Sequence, residues 1–147
     1  MLKTLLDVII VEDNPAYIET TLDALRENHL ANKVEILKDG KVAIDYIFGQ
    51  GQYSGFDICE GPALILLGLG LPKIDGIEIL SCIRSDERRK NIPVIALTSS
   101  RSEQVRIKCY SLGVNGYFVR PIKFESFTRA VVEVGYHWAA LRRSHPY

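Results

Sequence analysis

Glu12 and Asp13 are adjacent acidic residues that directly follow an apolar run near the start of the chain. Paired carboxylates at the end of a strand supply the oxygen ligands that a hard cation such as Mg²⁺ prefers. A second interpretation places Asp13 at the start of a helix, where a negative charge interacts favourably with the helix dipole. The pair fits both interpretations equally well.

Two later apolar runs also end in polar residues. Thr98 follows the run that begins at Pro93, and Arg120 follows the run that begins at Gly116. A hydroxyl and a cation that converge on acidic residues would form a site for an anion or a phosphoryl group. Taken singly, Thr98 fits a turn hydroxyl and Arg120 fits an ordinary ion-pair partner. The chemistry therefore depends on the elements that bring these residues together.

Short apolar runs alternate with amphipathic segments about five times along the chain, which is typical of an α/β fold with a parallel sheet and helices on both faces. The carboxyl ends of parallel strands lie at one edge of the sheet, where such folds bind ligands. We therefore expect the residues that follow the strands to lie together. The predicted strands are 5–11, 34–37, 63–67, 93–97 and 116–119, and the last two predicted helices are 103–112 and 124–143.

Composition excludes several classes of protein. The chain has 147 residues, which suits one domain, and its 18 basic residues balance its 18 acidic ones. This balance argues against nucleic acid as the main partner, because binding phosphates needs an excess of clustered Lys and Arg. No apolar run approaches the roughly 18 residues of a membrane span, and no signal peptide is recognised. Three cysteines without metal-ligand spacing indicate reduced thiols, so we predict a cytoplasmic protein.

Four stretches in fixed order resemble the receiver domains of two-component response regulators: residues 8–14, 64–76, 92–100 and 113–121. The resemblance covers nearly the whole chain. It implies a flavodoxin-like (βα)5 fold, a doubly wound three-layer sandwich whose five-stranded parallel sheet has the order 2-1-3-4-5. It also implies a single receiver domain over residues 1–147, with a core at about 5–136 and a helical extension at about 137–143. Such a domain works in a phosphorelay and is not an enzyme.

A narrower resemblance concerns residues 48–53 and 135–138, which are similar to stand-alone receivers that pair with bacterial phytochrome kinases. It implies a sensor histidine kinase as partner, of phytochrome type, contacted mainly through the first helix.

By the same resemblance, Glu12 and Asp13 would help to bind magnesium, and the backbone carbonyl of Gly70 would be a further ligand. Thr98 would be the switch hydroxyl. Tyr117 would be the aromatic residue whose rotamer follows activation.

The chain departs from the family pattern at two positions. Gly68 stands where the family has its phosphorylated aspartate, and Arg120 stands where it has a lysine. Glycine can neither accept a phosphoryl group nor supply a third carboxylate, so we expect phosphorylation to be absent and Mg²⁺ binding to be weak or absent. We also expect Arg120 to enter the space beside Gly68 and to pair with Asp13 or Glu12.

Apolar residues on the last two helices predict a surface for a second copy of the chain. The last helix carries a heptad-like stripe that continues to Trp138 and Leu141, and the fourth helix carries Val105 and Tyr110. We predict a homodimer through the fourth helix, the fifth strand and the last helix.

Two other functions fit the same sequence. The chain could be an ordinary phosphorylatable regulator in which Gly68 is a substitution. Alternatively, the crevice of a flavodoxin-like fold could bind a small molecule such as a flavin or a nucleotide.

Overall fold

The computed structural model describes residues 6–27, 29–61 and 63–144, without the side chains of Asn32 and of residues 136–144. Strands and helices alternate along the chain as predicted. The strands are β1 (Leu6–Val11), β2 (Ala31–Leu37), β3 (Ala63–Gly68), β4 (Val94–Thr98) and β5 (Gly116–Val119). The helices are α1 (Pro15–Glu27), α2 (Gly40–Phe48), α3 (Gly76–Ser85), α4 (Glu103–Ser111) and α5 (Phe124–Ser144).

The five strands form one parallel sheet in the order β2-β1-β3-β4-β5, which confirms the predicted order. All six residues of β3 are buried, as the unbroken apolar run of a central strand predicts. Successive side chains of a strand point to opposite faces, so the sheet contributes to two cores. One core lies against α2, α3 and α4, and the other lies against α1 and α5.

Strand β2 begins three residues earlier than predicted, at Ala31 instead of Val34. It lies at the edge of the sheet and pairs only with β1, with Asp7 opposite Lys33. Backbone pairing extends an edge strand through polar residues, because an edge does not require buried apolar side chains on both faces. The apolar pattern therefore marked only the last four residues of this strand, which end in the buried Leu37.

Four helix starts on the carboxyl edge of the sheet are fixed by side-chain caps, among them that of α2, where the Asp39 side chain accepts a hydrogen bond from the backbone N–H of Val42. The Asn14 side chain accepts hydrogen bonds from the backbone N–H of Ala16 (2.9 Å) and Tyr17 (3.3 Å). Asp75 caps α3 and Ser102 caps α4 in the same way. Such caps satisfy N–H groups that a helix leaves unpaired, and they set where each helix enters the strand–helix loop.

The loop between α2 and β3 contains two short 3₁₀ turns, Gly51–Tyr53 and Ile58–Glu60. The rings of Tyr53 and Phe56 pack on Tyr46 of α2, with centroids 5.0 Å and 4.5 Å away. No helix in the described part of the chain is long and apolar enough to cross a membrane.

Candidate functional site

A cleft of about 460 Å³ opens at the carboxyl edge of the sheet. It brings together the residues that follow β1, β4 and β5, as the sequence predicted. Its lining includes five of the predicted site residues and one residue that the prediction missed, Tyr17: Glu12, Asp13, Gly70, Thr98, Arg120 and Tyr17.

The Glu12 side chain is buried, and both of its oxygens are engaged. Its Oε1 lies 2.8 Å from Nη2 of Arg120, and the two side chains are 9% and 12% exposed. Its Oε2 accepts hydrogen bonds from the backbone N–H of Asp13 (3.0 Å) and Asn14 (3.1 Å). The expected pair between Arg120 and an acid is therefore confirmed, with Glu12 as the acid. A carboxylate with this set of donors is stabilised by charge-assisted hydrogen bonds.

Gly68 lies directly beneath the Glu12 carboxylate. A Cβ atom added to Gly68 would lie 2.8 Å from Glu12 Oε1 and 2.9 Å from the carbonyl oxygen of Val11. The nearest side-chain atoms to this position belong to Glu12 and not to Arg120. Glu12 reaches across from β1 and takes that space, because Val11 pairs with Leu67 and the end of β1 therefore lies beside the end of β3. Arg120 meets the carboxylate there.

Arg120 is fixed from two further sides. Its backbone N–H donates to the carbonyl of Thr98 at 2.8 Å, and the peptide bond to Pro121 is cis. Its guanidinium carbon lies 3.8 Å from the centre of the Tyr17 ring, which is a close cation–π contact.

Tyr17 in turn reaches the loop after β4, because its hydroxyl lies 3.0 Å from Oγ of Ser99. Sequence reasoning missed Tyr17. The feature of the sequence that could have indicated it is an aromatic residue in the first turn of the helix that follows the acidic pair.

Thr98 and Tyr117 differ in their surroundings. Thr98 is 4% exposed, and its Oγ1 accepts a hydrogen bond from the backbone N–H of Ser100 at 3.0 Å. Tyr117 does not line the cleft; its ring lies 6.1 Å from that of Tyr110. Within the described residues, the Tyr117 hydroxyl is buried without a hydrogen-bond partner. Its burial raises the pKa of Tyr117.

The remaining predicted metal ligands, Asp13 and Gly70, are exposed at the rim of the cleft. Gly70 has φ of +79°, a conformation that favours glycine. Within residues 6–27, 29–61 and 63–144, no group of three or more His, Cys, Asp and Glu side chains is placed to hold a metal ion.

The predicted dimer surface is only partly described. Tyr110 is 50% exposed, and Ile107 beside it on α4 is 57% exposed. Val105 instead packs against the core and lines the cleft, so it contributes less surface than expected. The side chains of Trp138 and Leu141 lie outside the described residues.

Residues 8–132 match the family model described as the response regulator receiver domain. The chain is 38% identical to the probable methanogenesis regulatory protein FilR2 of Methanothrix harundinacea, across 93% of this chain and 86% of that protein. It is 33% identical to the response regulator Rcp1 of Synechocystis, across 89% of this chain and 87% of Rcp1.

Solved structures give the same result. The bacteriophytochrome response regulator RtBRR has a TM-score of 0.78 and 40% identity over 89% of this chain and 78% of its own. The phosphorylated cyanobacterial phytochrome response regulator RcpA has a TM-score of 0.75 and 33% identity over 93% and 96%. The Mn²⁺-bound form of Rcp1 has a TM-score of 0.72 and 32% identity over 90% and 93%. The flavodoxin-like receiver fold predicted from the sequence is confirmed.

Proposed function

The chain belongs to the response regulator receiver family, and on that premise we propose that it is a stand-alone receiver of a two-component system that takes no phosphoryl group and acts by protein–protein contact. The single domain spans residues 1–147, with the helix at 137–143 as an extension of the core. Because the family consists of signalling domains, we propose that it catalyses no reaction of its own and that it works in the cytoplasm, with no nucleic acid as its partner.

The carboxylate of Glu12 above Gly68 is the observation that carries this proposal. The acceptor position has no side chain, and the space where one would begin is 2.8 Å from Glu12 Oε1. Glu12 itself is a poor replacement acceptor, because Arg120 and two backbone N–H groups already bind its oxygens. A phosphodonor would therefore meet no side chain at the acceptor position, and beside it a Glu12 carboxylate whose oxygens are already bound.

A divalent metal also fits this site poorly. Relatives such as Rcp1 are known in a Mn²⁺-bound form. In this chain Asp13 is the exposed carboxylate that follows β1, and Gly68 adds none. Mg²⁺ prefers six oxygen ligands in near-octahedral geometry, so a site with few free protein oxygens binds it weakly. We propose that Glu12, Asp13 and the Gly70 carbonyl bind Mg²⁺ weakly or not at all.

The roles of Thr98 and Tyr117 follow from the same reasoning. In a chain without phosphorylation, the Thr98 hydroxyl stays bound to the N–H of Ser100. Tyr117 then stays packed beside Tyr110, since no phosphoryl group draws the loop after β4 toward the cleft. We propose that the side chains of Thr98 and Tyr117 each keep a single conformation.

A sensor histidine kinase of phytochrome type is the partner that the relatives favour. RtBRR and RcpA are response regulators of bacteriophytochrome and cyanobacterial phytochrome systems by name. The side chains of Glu19, Asp23 and Glu27 are exposed at four-residue spacing along α1, so they share one face of that helix. We propose that this face contacts the kinase, and that the chain competes there with phosphorylatable relatives.

A second copy of the chain is the other proposed partner. Ile107 and Tyr110 are exposed on α4, and Val132 on α5 is 38% exposed. Exposed apolar side chains on the helices that precede and follow β5 favour association. We propose a homodimer through α4, β5 and α5, to which Trp138 and Leu141 would add apolar surface.

The test uses a phytochrome-type kinase that carries a radiolabelled phosphoryl group, mixed with this chain or with RcpA in Mg²⁺. We expect label to move to RcpA and to stay on the kinase with this chain, while biolayer interferometry detects a kinase complex. An Asp23→Lys variant, which reverses a charge on α1, should weaken the complex. Label on this chain would overturn the missing-acceptor claim, and absence of a complex would overturn the kinase partner.

A further inference from the structure

The charges in the cleft show how the site is neutralised. Glu12, Asp13 and Asp75 line it with negative charge, and Arg120 is the cation among its lining residues. The guanidinium contacts the most buried of these acids, at 2.8 Å from Glu12 Oε1. A pair this close and this buried is weakly screened by solvent and salt. The buried acid therefore already has a counter-charge.

Three contacts hold the guanidinium in that place. The backbone of Arg120 is bound to Thr98, and its side chain ends on Glu12. Tyr17 covers the guanidinium at 3.8 Å and is itself bound to Ser99. Arg120 is consequently 12% exposed, so it cannot move into solvent without losing both the carboxylate and the ring.

A divalent ion and this guanidinium would compete for one carboxylate. Any ion that uses Glu12 must take Oε1 from Arg120, since Oε2 binds two backbone N–H groups. The displaced guanidinium would then stay near the ion, because its backbone is fixed to Thr98. Two cations within a few ångströms repel each other strongly in a part-buried site.

We propose that the Arg120 guanidinium is the resident cation of this site and that it, rather than the loss of one carboxylate alone, excludes divalent metal. This deepens the proposed function, since it explains how a receiver neutralises the buried acid of its cleft without a metal ion or a phosphoryl group. Tyr17 is a positioning residue in this arrangement, because it acts through Arg120.

The test measures binding of Mn²⁺ alone by electron paramagnetic resonance, in which free aqueous Mn²⁺ gives the signal. Four proteins are compared: the unmodified chain, Arg120→Met, Arg120→Gln and Arg129→Met. Arg129 is exposed on α5, so its loss changes net charge equally but leaves the cleft intact. Arg120→Gln removes the charge but keeps a planar amide, which can donate a hydrogen bond to Glu12 and pack on the Tyr17 ring. This variant is therefore expected to remain folded. Rcp1 serves as the positive control, since a Mn²⁺-bound form of it is known.

We expect both Arg120 variants to bind Mn²⁺ at least about tenfold more tightly than the unmodified chain, since removing one charge a few ångströms away has at least that effect. Arg129→Met should behave like the unmodified chain. Equal affinity in all four proteins, or no binding by either Arg120 variant where Rcp1 is saturated, would overturn the proposal. Failure here is distinct from failure of the proposed function, which transfer of phosphoryl label to the unmodified chain would reveal.

Discussion

Gly68→Ala is the substitution that most directly tests how the site is packed. Gly68 does not have a positive φ, so alanine is opposed by space and not by backbone conformation. The new Cβ would lie 2.8 Å from Glu12 Oε1 and 2.9 Å from the Val11 carbonyl, whereas ordinary contact begins at 3.4 Å. Glu12 could rotate away only by leaving Arg120. The Val11 carbonyl belongs to β1 and could move only with its strand.

The size of the effect follows from these two clashes. Overpacking by one methyl group in a tight site destabilises a protein by about 1–3 kcal/mol. A chain of 147 residues has an unfolding entropy of about 0.3 kcal/mol per kelvin, so each kcal/mol lowers Tm by about 3 °C. We therefore expect Gly68→Ala to lower Tm by about 3–10 °C. Gly68→Asp should be at least as destabilising, because it adds a buried charge beside Glu12.

Gly61→Ala is the matched control for this measurement. A Cβ at Gly61 would meet nothing within 4 Å, and φ there is −139°. Both substitutions reduce the conformational entropy of the unfolded chain in the same way, but Gly61→Ala introduces no clash in the folded protein. Calorimetry measures Tm for the unmodified chain, Gly68→Ala and Gly61→Ala. If Gly68→Ala melts at the same temperature as Gly61→Ala, or above it, the Glu12 carboxylate does not occupy the acceptor position as described.

Three further predictions concern other parts of the molecule. Arg84→Met should lower the free energy of unfolding by about 1–3 kcal/mol in urea titrations, because the guanidinium binds the carbonyls of Ile92 (2.7 Å) and Gly113 (3.0 Å), which methionine leaves unpaired. Tyr46→Phe should flatten the loss of stability as pH rises from 10 to 12: burial raises the pKa of Tyr46 from 10.0 to about 12, so the unfolded chain loses this proton first and unfolding becomes easier. An unchanged slope in alkaline urea titrations would contradict this. Ile107→Asp should give a monomer in sedimentation velocity at micromolar concentration with Tm nearly unchanged, since its side chain is 57% exposed in one copy; a persistent dimer would place the interface elsewhere.

The sequence predicted the fold because its apolar runs are regular and its helix caps are strong. β3 is buried throughout, as its unbroken apolar run predicts, and the Asn14 side chain caps the start of α1. The start of β2 was missed since an edge strand can pair through polar residues such as Lys33. Local pattern therefore gave the elements to within a residue or so at most of their ends, and its largest error lay where backbone pairing continued past the apolar stretch.

The site was predictable in its members but not in its contacts. The rule for strand ends placed Glu12, Thr98 and Arg120 in one cleft. It could not decide between Glu12 and Asp13 as the partner of Arg120, because that choice depends on how far each side chain reaches across β3. The covering ring of Tyr17 was not predicted, since its contact with Arg120 joins elements about a hundred residues apart in the chain.

The central claim is that this receiver takes no phosphoryl group, and acetyl phosphate tests it without any kinase. The unmodified chain and RcpA, which is known in a phosphorylated form, are incubated with acetyl phosphate and Mg²⁺ and then weighed by intact mass spectrometry. We predict that RcpA gains the mass of one phosphoryl group and that this chain keeps its original mass throughout. A phosphoryl adduct on this chain that hydroxylamine removes, as it removes an acyl phosphate, would contradict the account.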